Sequence, residues 1–538
     1  MGFDICRHEK LFVGGMVTLF SIVYVVLGGR CLVNYQNSDI IFHLNRILGL
    51  SGVWKTPINF VTFGQIGYGV NYFYPWLTLY PAYVLIRLTH SLTIGIGVFI
   101  IGVNILTGLI AYYSTKPLLN DRLMAMTFSL LYLFTTYRSL DLYRRFDIAE
   151  FIAMAFIPLM ISALYQIIIM GKSRWRMLAI TMALILYTHV LSVIVCGFAG
   201  VVMTIMLYPF SKNKIGGIIQ ITKALLLWVF LSVGFLIPFL WQRTIGVDMP
   251  FKAWLPNMAL TVGQLITGGF SNSLGSNTMT TASLGVLCTL ILIGGLFVLR
   301  KTRIEWIFLI TGILLTLMMT KLFPWKFLGH SFDFIQFPWR FGEVAVIFLL
   351  LFGVSWLLKW RHSWLVASFL VITSVFSFGI RTYQLRSCAK PAMAITYSDK
   401  IYSPPPFDYQ PHKAVLNIEG IVQHRFTGTD ARPIVKIKPS YISIIPTVNA
   451  KKLNTPFEAY KGIVTKENNG KKLVTIESER GTILIKNVKR GEPIRITSCW
   501  PLFMRIAQLI SVITLIGITV YYVCSNRHLI KNYYFCKK

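Results

Sequence analysis

Apolar runs long enough to cross a bilayer recur along the whole chain, and no other feature limits its fold so tightly. They fall at 11–29, 93–113, 123–137, 149–170, 177–193, 194–210, 218–240, 284–299, 304–320, 343–358, 363–380 and 501–523. A helix of about twenty apolar residues spans the hydrocarbon core. The runs therefore predict a polytopic α-helical membrane protein with about 12 transmembrane helices. Several are short and imply tilt or local thinning of the bilayer. The stretch 177–210 reads either as two spans or as one long tilted helix. With 55% hydrophobic and only 13% charged residues, the chain cannot hide this surface in one soluble core. The first run follows Arg7 and Lys10 but has no small-residue cleavage pattern, so it reads as an uncleaved span.

Charge sets the expected orientation. With the N-terminus in the cytoplasm, the inside segments are 1–10, 114–122, 171–176, 211–216, 300–303, 359–361 and 524–538, and each carries Lys or Arg. The outside loops, 30–75, 138–147, 242–283 and 321–341, are longer and sparser in both. That asymmetry follows the positive-inside rule and places both termini in the cytoplasm of a cell membrane. Orientation and anionic lipid headgroups together absorb much of the formal net charge of +32, so nucleic acid is not an expected partner.

The expected units are a transmembrane domain over 1–380 with a first extracytoplasmic loop at 30–92, a small extracytoplasmic β-rich domain at 381–500, and a final helix with a basic tail at 501–538. Within 30–92, the stretch after Trp76 reads as an interfacial or re-entrant helix. Strand signals in 381–500 are RPIVKIK, SYISII, GIVTKE, KKLVTIE, GTILIKN and PIRIT, with Asn469-Gly470 as a hairpin turn, and a small β-sandwich follows. This segment holds 20 Lys and Arg against 9 Asp and Glu. Long translocated domains are exempt from the orientation rule. The excess therefore suits either an anionic polymer or lipid surface, or a plain solvated face. Cys388 and Cys499 bracket the segment; unpaired thiols are expected, with a disulfide as the alternative. No cysteine spacing indicates zinc.

The polar residues gather in the segments assigned to the outside. Read as a helix, the stretch after Asp39 puts Asp39, His43 and Arg46 in one stripe. Ile40, Ile41, Leu44, Ile47 and Leu48 cover the rest, as in a helix lying on the membrane surface. The plainer alternative is that Asp39 favours a helix N-terminus, Asn37 or Ser38 caps it, and Arg46 snorkels. Further on lie Tyr68, Tyr72 and Tyr74, then Arg144, Arg145, Asp147 and Glu150 in YRRFDIAE, His189 at a span end, and Trp339 and Arg340 in FPWRF. Asp147 and Glu150 also have the spacing of a helix capping box.

D-x-x-x-H-x-x-R-I in the first loop (Asp39, His43, Arg46, Ile47), then GYGVNYFYP, YRRFDIAEFIAMAFIPL, YTHVLS, FPWRF and a β-domain before the last span, resembles the YfhO-like bacterial membrane proteins of the GT-C glycosyltransferase superfamily. The resemblance covers nearly the whole chain and implies a GT-C-like fold. It implies sugar transfer from a polyprenyl-phosphate-linked donor to an extracytoplasmic acceptor, such as a cell-envelope polymer or glycan, with Asp39 as base. The paired Asp-Glu of the protein mannosyltransferase branch is missing, since Ile40 follows Asp39.

Such chemistry needs a carboxylate at the attacking hydroxyl and cations on the departing phosphate. His43 and Arg46 would hold Asp39 or touch the acceptor, and Arg144, Arg145 or Arg340 beside Trp339 would grip the phosphate. Tyr68 and Tyr74 would stack on sugar, and His189, Asp147 and Glu150 would line the site; the plainer alternatives are snorkelling and interfacial anchoring for the three arginines, an aromatic belt for the tyrosines and a packing histidine at His189. No motif demands a cofactor; a divalent metal shared by Asp147, Glu150 and Asp39 is a third option for those acids. Two rival readings are a flippase or exporter of a lipid-linked saccharide, and a non-catalytic envelope-assembly scaffold.

Overall fold

A computed structural model describes residues 2–33, 39–272, 274, 282–298, 301–359, 362–388, 407–429 and 432–535. The fold is a polytopic helical membrane protein with a β-rich domain before the last helix. Every one of the twelve apolar runs contains a helix. Among the described residues, eight helices are long and apolar enough to cross a membrane: His8–Gly28, Leu92–Leu119, Ile148–Ile168, Val190–Phe210, Lys214–Arg243, Pro338–Leu357, Ser363–Arg386 and Leu502–Cys524. The other four runs give helices of 12 to 16 residues, at Arg122–Leu133, Trp175–Leu186, Gly285–Phe297 and Arg303–Met318. By length and composition alone, eight of the twelve expected spans qualify among the described residues. Ile148–Ile168 and Pro338–Leu357 are almost wholly buried at the centre, while the last helix is mostly exposed to its surroundings, packing against Lys214–Arg243.

The run 177–210 is two helices, parted at Thr188-His189, where the His189 ring caps the second by accepting the Ser192 amide. Residues in or beside segments assigned to one side of the membrane meet each other. Glu9 pairs with Lys116 and with Arg122 (3.2 Å), and Glu305 with Lys359 at 2.5 Å. The stretch after Trp76 forms the helix Tyr80–Thr89, which packs on Leu92–Leu119 beneath a cluster of Trp54, Trp76 and Tyr80.

Helix Ser363–Cys388 runs eight residues past the expected span end. The side chain of Cys388 lies outside the described residues, and Cys499 is a free, exposed thiol. Among the described residues the seven strands are β1 Ile434–Lys438, β2 Tyr441–Ile445, β3 Ala450–Glu458, β4 Ile463–Glu467, β5 Thr475–Glu477, β6 Thr482–Val488 and β7 Ile494–Ser498. They form two antiparallel sheets, β1-β2-β7-β4 and β3-β6-β5. Alternation drives the pairing: Ile442, Ile444, Ile494 and Ile496 from one sheet meet Leu453, Phe457, Ile483 and Ile485 from the other in one buried cluster. Phe60, Phe63, Tyr68, Tyr72 and Phe73 of the first loop join the same cluster, so loop and sandwich share a core.

Candidate active site

The first-loop helix Ile40–Leu48 does not lie on a membrane surface. Ile40, Leu44 and Ile47 are buried in the helical core, and the polar stripe is buried too, with His43 at 2% and Arg46 at 1% exposure. Protein covers both faces, which is the physical reason the amphipathic pattern misled. Arg46 donates to the Pro75 carbonyl (2.6 Å), contacts His43 Nδ1 (3.3 Å) and stacks on the Tyr74 ring at 3.6 Å. It is a buried strut and does not snorkel. Asp39 occupies the cap position without a side-chain capping bond and is half-buried. Its amide donates to the Arg145 carbonyl at 2.8 Å. Asn37 and Ser38 lie outside the described residues.

Asp141–Arg145 is a π-helical turn closed by Phe146 at φ 60°, the kind of local irregularity that concentrates at functional sites. It aims Arg145 inward at three carboxylates: Asp141 Oδ1 (2.5 Å), Asp147 Oδ2 (2.9 Å) and Glu150 Oε2 (3.1 Å). From 190 residues away Arg340 reaches the same Glu150 oxygen at 2.7 Å and Gln336 at 3.2 Å. The Tyr137 hydroxyl donates to Glu150 Oε1 at 2.7 Å. Trp339 is buried beneath Arg145, whose guanidinium lies 4.8 Å from its ring centre, and stacks on Phe337. Arg144 remains half-buried on the same turn. Asp147 caps the next helix by accepting the Glu150 amide (3.2 Å), but the Glu150 side chain turns to the arginines, so the capping box is half made.

Around Asp147 stand three rings. The Tyr74 hydroxyl is 3.5 Å from Oδ1, His43 Nε2 is 3.6 Å from Oδ1 and His189 Nε2 is 4.0 Å from Oδ2. Burial pushes both imidazoles down, His43 to about 3 and His189 to about 4, against the pull of Asp147. Burial pushes Asp147 up, but His189, Arg145, His43 and Arg340 outweigh it and hold the carboxyl well below the usual range. With both imidazoles neutral at neutral pH, it is the guanidiniums that keep Asp147 ionised. Asp141, deeper and beside Glu150, is pushed well above the usual range by burial and then by Glu150, despite Arg145.

Asp147, Glu150 and His189 offer ligand atoms within 4.8 Å of one another, and Asp39 is not in that group. These residues do not fit a divalent cation as they stand. Two guanidiniums and a phenol already occupy the carboxylate oxygens, and a metal ion would meet their positive charge at close range.

The structure thus brings together His43, Arg46, Tyr74, Arg145, Asp147, Glu150, His189, Trp339 and Arg340, with Asp39 and Arg144 at the margin. It does not bring Tyr68 there. That ring is buried against Phe63 in the loop–sandwich core, and its hydroxyl donates to the Asp408 carbonyl at 2.7 Å. Sequence reasoning missed Tyr137, Asp141, Gln336, Glu343 and Tyr409. Tyr409 comes from the segment leading into the sandwich and stacks on Phe73, with its edge toward Tyr74. Glu343 accepts from Ser192 Oγ at 2.9 Å, and that oxygen lies 2.8 Å from His189 Nδ1. An acid inside an apolar run was a signal for Glu343; Tyr409 had none.

No protein-family model matches the chain, and no curated protein does. Among solved structures it is similar to the arabinofuranosyltransferase AftD from Mycobacteria, at 11% identity and a TM-score of 0.45, over 71% of this chain and 27% of that one. It is also similar to ArnT from Cupriavidus metallidurans, solved bound to undecaprenyl phosphate, at 11% identity and a TM-score of 0.40, over 88% of this chain and 98% of that one. The chain spans about a quarter of the length of AftD.

Proposed function

We propose that the chain is a GT-C-type membrane glycosyltransferase that moves a sugar from a polyprenyl-phosphate carrier to an extracytoplasmic acceptor, an envelope polymer or glycan. One observation carries the reading: the first-loop acid is docked on the arginine turn, the Asp39 amide bonded to the Arg145 carbonyl at 2.8 Å. This sets a half-buried carboxylate beside a rigid, charge-paired cluster, with the half-buried Arg144 next in sequence to its anchor.

In the proposed reaction the acceptor hydroxyl oxygen bonds to the anomeric carbon as the bond from that carbon to the phosphate oxygen breaks. The hydroxyl proton passes to the Asp39 carboxylate, and the phosphate leaves with its charge met by Arg144. Arg145 and Arg340 are committed to Asp147 and Glu150; their proposed part is to hold the turn rigid, since a site loose by an ångström loses much of its rate.

The test uses purified chain with polyprenyl-phosphate sugars and membrane-extracted acceptor. Asp39→Asn should melt like wild type and lose about 10²–10⁴ in rate, the usual worth of a positioned base. Arg144→Gln should lower the rate with a normal melt. Full transfer by well-folded Asp39→Asn and Asp39→Ala proteins would end the catalytic assignment.

A further inference from the structure

The outer face of the four-stranded sheet carries a line of cations that nothing above uses. Strand register puts Lys436 opposite Ser443, Ser443 opposite Arg495, and Arg495 opposite Lys466. The four residues share one row, and the buried Ile442, Ile444, Ile494 and Ile496 fix that row to the outside. Lys438 lies two residues on along β1, on the same face. All four cations are exposed. Among the described residues none of them joins an ion pair, and no acid lies on that face between β1 and β4. The Arg495 guanidinium rests 3.6 Å from the centre of the Tyr441 ring, a platform that limits its motion. Arg495, then Lys438 and Lys436, hold the Tyr441 phenol below its usual range.

At about 4.8 Å between strands and about 6.7 Å between alternate residues, the cations lie roughly 5–16 Å apart. The line is long and narrow. Its setting decides between a membrane and a polymer. A Cβ on Gly52 of the first loop would meet the Pro439 carbonyl in the β1–β2 turn. Lys461, just before β4, exchanges hydrogen bonds with Gln242 near the end of Lys214–Arg243. Trp500, just after β7, donates to the Val53 carbonyl at 3.4 Å. All three contacts are made by one end of the sheet, the end at which the chain enters its last helix. The strands stand on the membrane part by that end, so the cationic face looks sideways and no flat bilayer can lie along it.

We infer that this face docks a linear polymer of repeating phosphodiester charge, holding it beside the first loop. As an acceptor-docking surface it rests on the transferase reading above. As a polyanion-binding surface it does not, and binding is measured without transfer.

The full chain in zwitterionic nanodiscs would be titrated into a fluorescein-labelled oligo(propanediol phosphodiester) and followed by anisotropy at several salt concentrations. Wild type should bind, weakening as salt rises. The triple variant Lys436→Gln/Lys466→Gln/Arg495→Gln should bind at least tenfold more weakly, with a log–log salt slope shallower by about 2, near 0.7 per lost phosphate contact. Lys451→Gln/Lys452→Gln/Lys489→Gln removes the same charge from the other sheet and should stay within about twofold of wild type at matched salt. Absence of wild-type binding, or equal loss in both triples, would overturn the inference. So would three-residue-dependent binding to anionic vesicles without binding to the oligomer. Persistent binding with a transfer-dead Asp39→Ala protein would separate this face from the catalytic reading.

Discussion

The two buried imidazoles beside Asp147 make the stability of this protein acid-sensitive in a way that can be isolated. Burial holds His43 near 3 and His189 near 4, against 6.5 for a free imidazole. Folding therefore requires both rings neutral. Above pH 6.5 that costs nothing. Below it the unfolded chain takes up two protons that the folded chain refuses, and each ring costs about 1.4 kcal/mol per pH unit until its own folded value is reached. Between pH 6.5 and 5 the pair should remove about 4 kcal/mol of stability. Asp147, held low, loses its contribution only as pH falls through its still lower folded value, below this window. Asp141 and Glu458, both pushed up by burial, titrate in the opposite sense. A comparison of wild type with His43→Gln/His189→Asn removes them, since both proteins share them. Gln retains an acceptor for Arg46, and Asn is a good helix cap in place of His189. The assay is the melting temperature in one detergent from pH 7.5 to 5. At about 2.1 cal/mol/K per residue, the two melting curves should draw apart by roughly 3–4 °C over the lower part of that range, with the variant the less acid-sensitive. Parallel pH dependences would refute the reasoning, because they would mean that the rings are wet or already charged.

Two further outcomes follow from the same contacts. Arg145→Met should cost about 3–5 kcal/mol, since it strips the guanidinium from Asp141 and Asp147 while Glu150 keeps Arg340; Arg145→Lys should recover little, one ammonium being unable to fork across three carboxylates. An unchanged melt for Arg145→Met would show that the cluster is not ionised. Gly52→Ala should cost about 1–3 kcal/mol and raise protease cleavage ahead of β1, because the new methyl would collide with the Pro439 carbonyl, with backbone on both sides. Gly14→Ala, with nothing within 4 Å, should be silent by the same measures.

Helix positions were legible because a bilayer demands apolar length, and each run does contain a helix. Their lengths were not, because composition does not show where a helix stops. The run 123–137 ends its helix at Leu133 and resumes at Thr136–Leu140, turning the chain into the arginine turn. Six of seven strands showed the alternation that a sandwich requires. The one missed, AKKLNTPFE of β3, is polar in its first half and carries Pro456, and only its second half is continuously buried. The Asn469-Gly470 turn forms with Gly470 at φ 86°, closed by the Gly470 amide on the Glu467 carbonyl. The strands it joins then part onto different sheets, a divergence that local turn chemistry cannot signal.

At the site, the sequence located charges but not their partners. Arg145 and the missed Asp141 lie one helical turn apart, a spacing that could have signalled their pairing, whereas nothing in the sequence signals Arg340 with Glu150. That difference bears on which residues the proposed reaction can draw on. A guanidinium bonded to buried carboxylates has its charge spent: freeing it would leave an uncompensated carboxylate in a low dielectric, at several kcal/mol. Arg145 and Arg340, both tied to Glu150 and the first also to Asp141 and Asp147, are poor candidates to let go and grip a phosphate during each turnover. Asp39 and Arg144 differ. Both are half-buried, both adjoin the cluster through backbone, and a ligand arriving there need break none of the Arg145 or Arg340 pairs. Burial fits the proposed division of labour, in which the paired interior supplies rigidity and Asp39 and Arg144 on its margin carry the reaction.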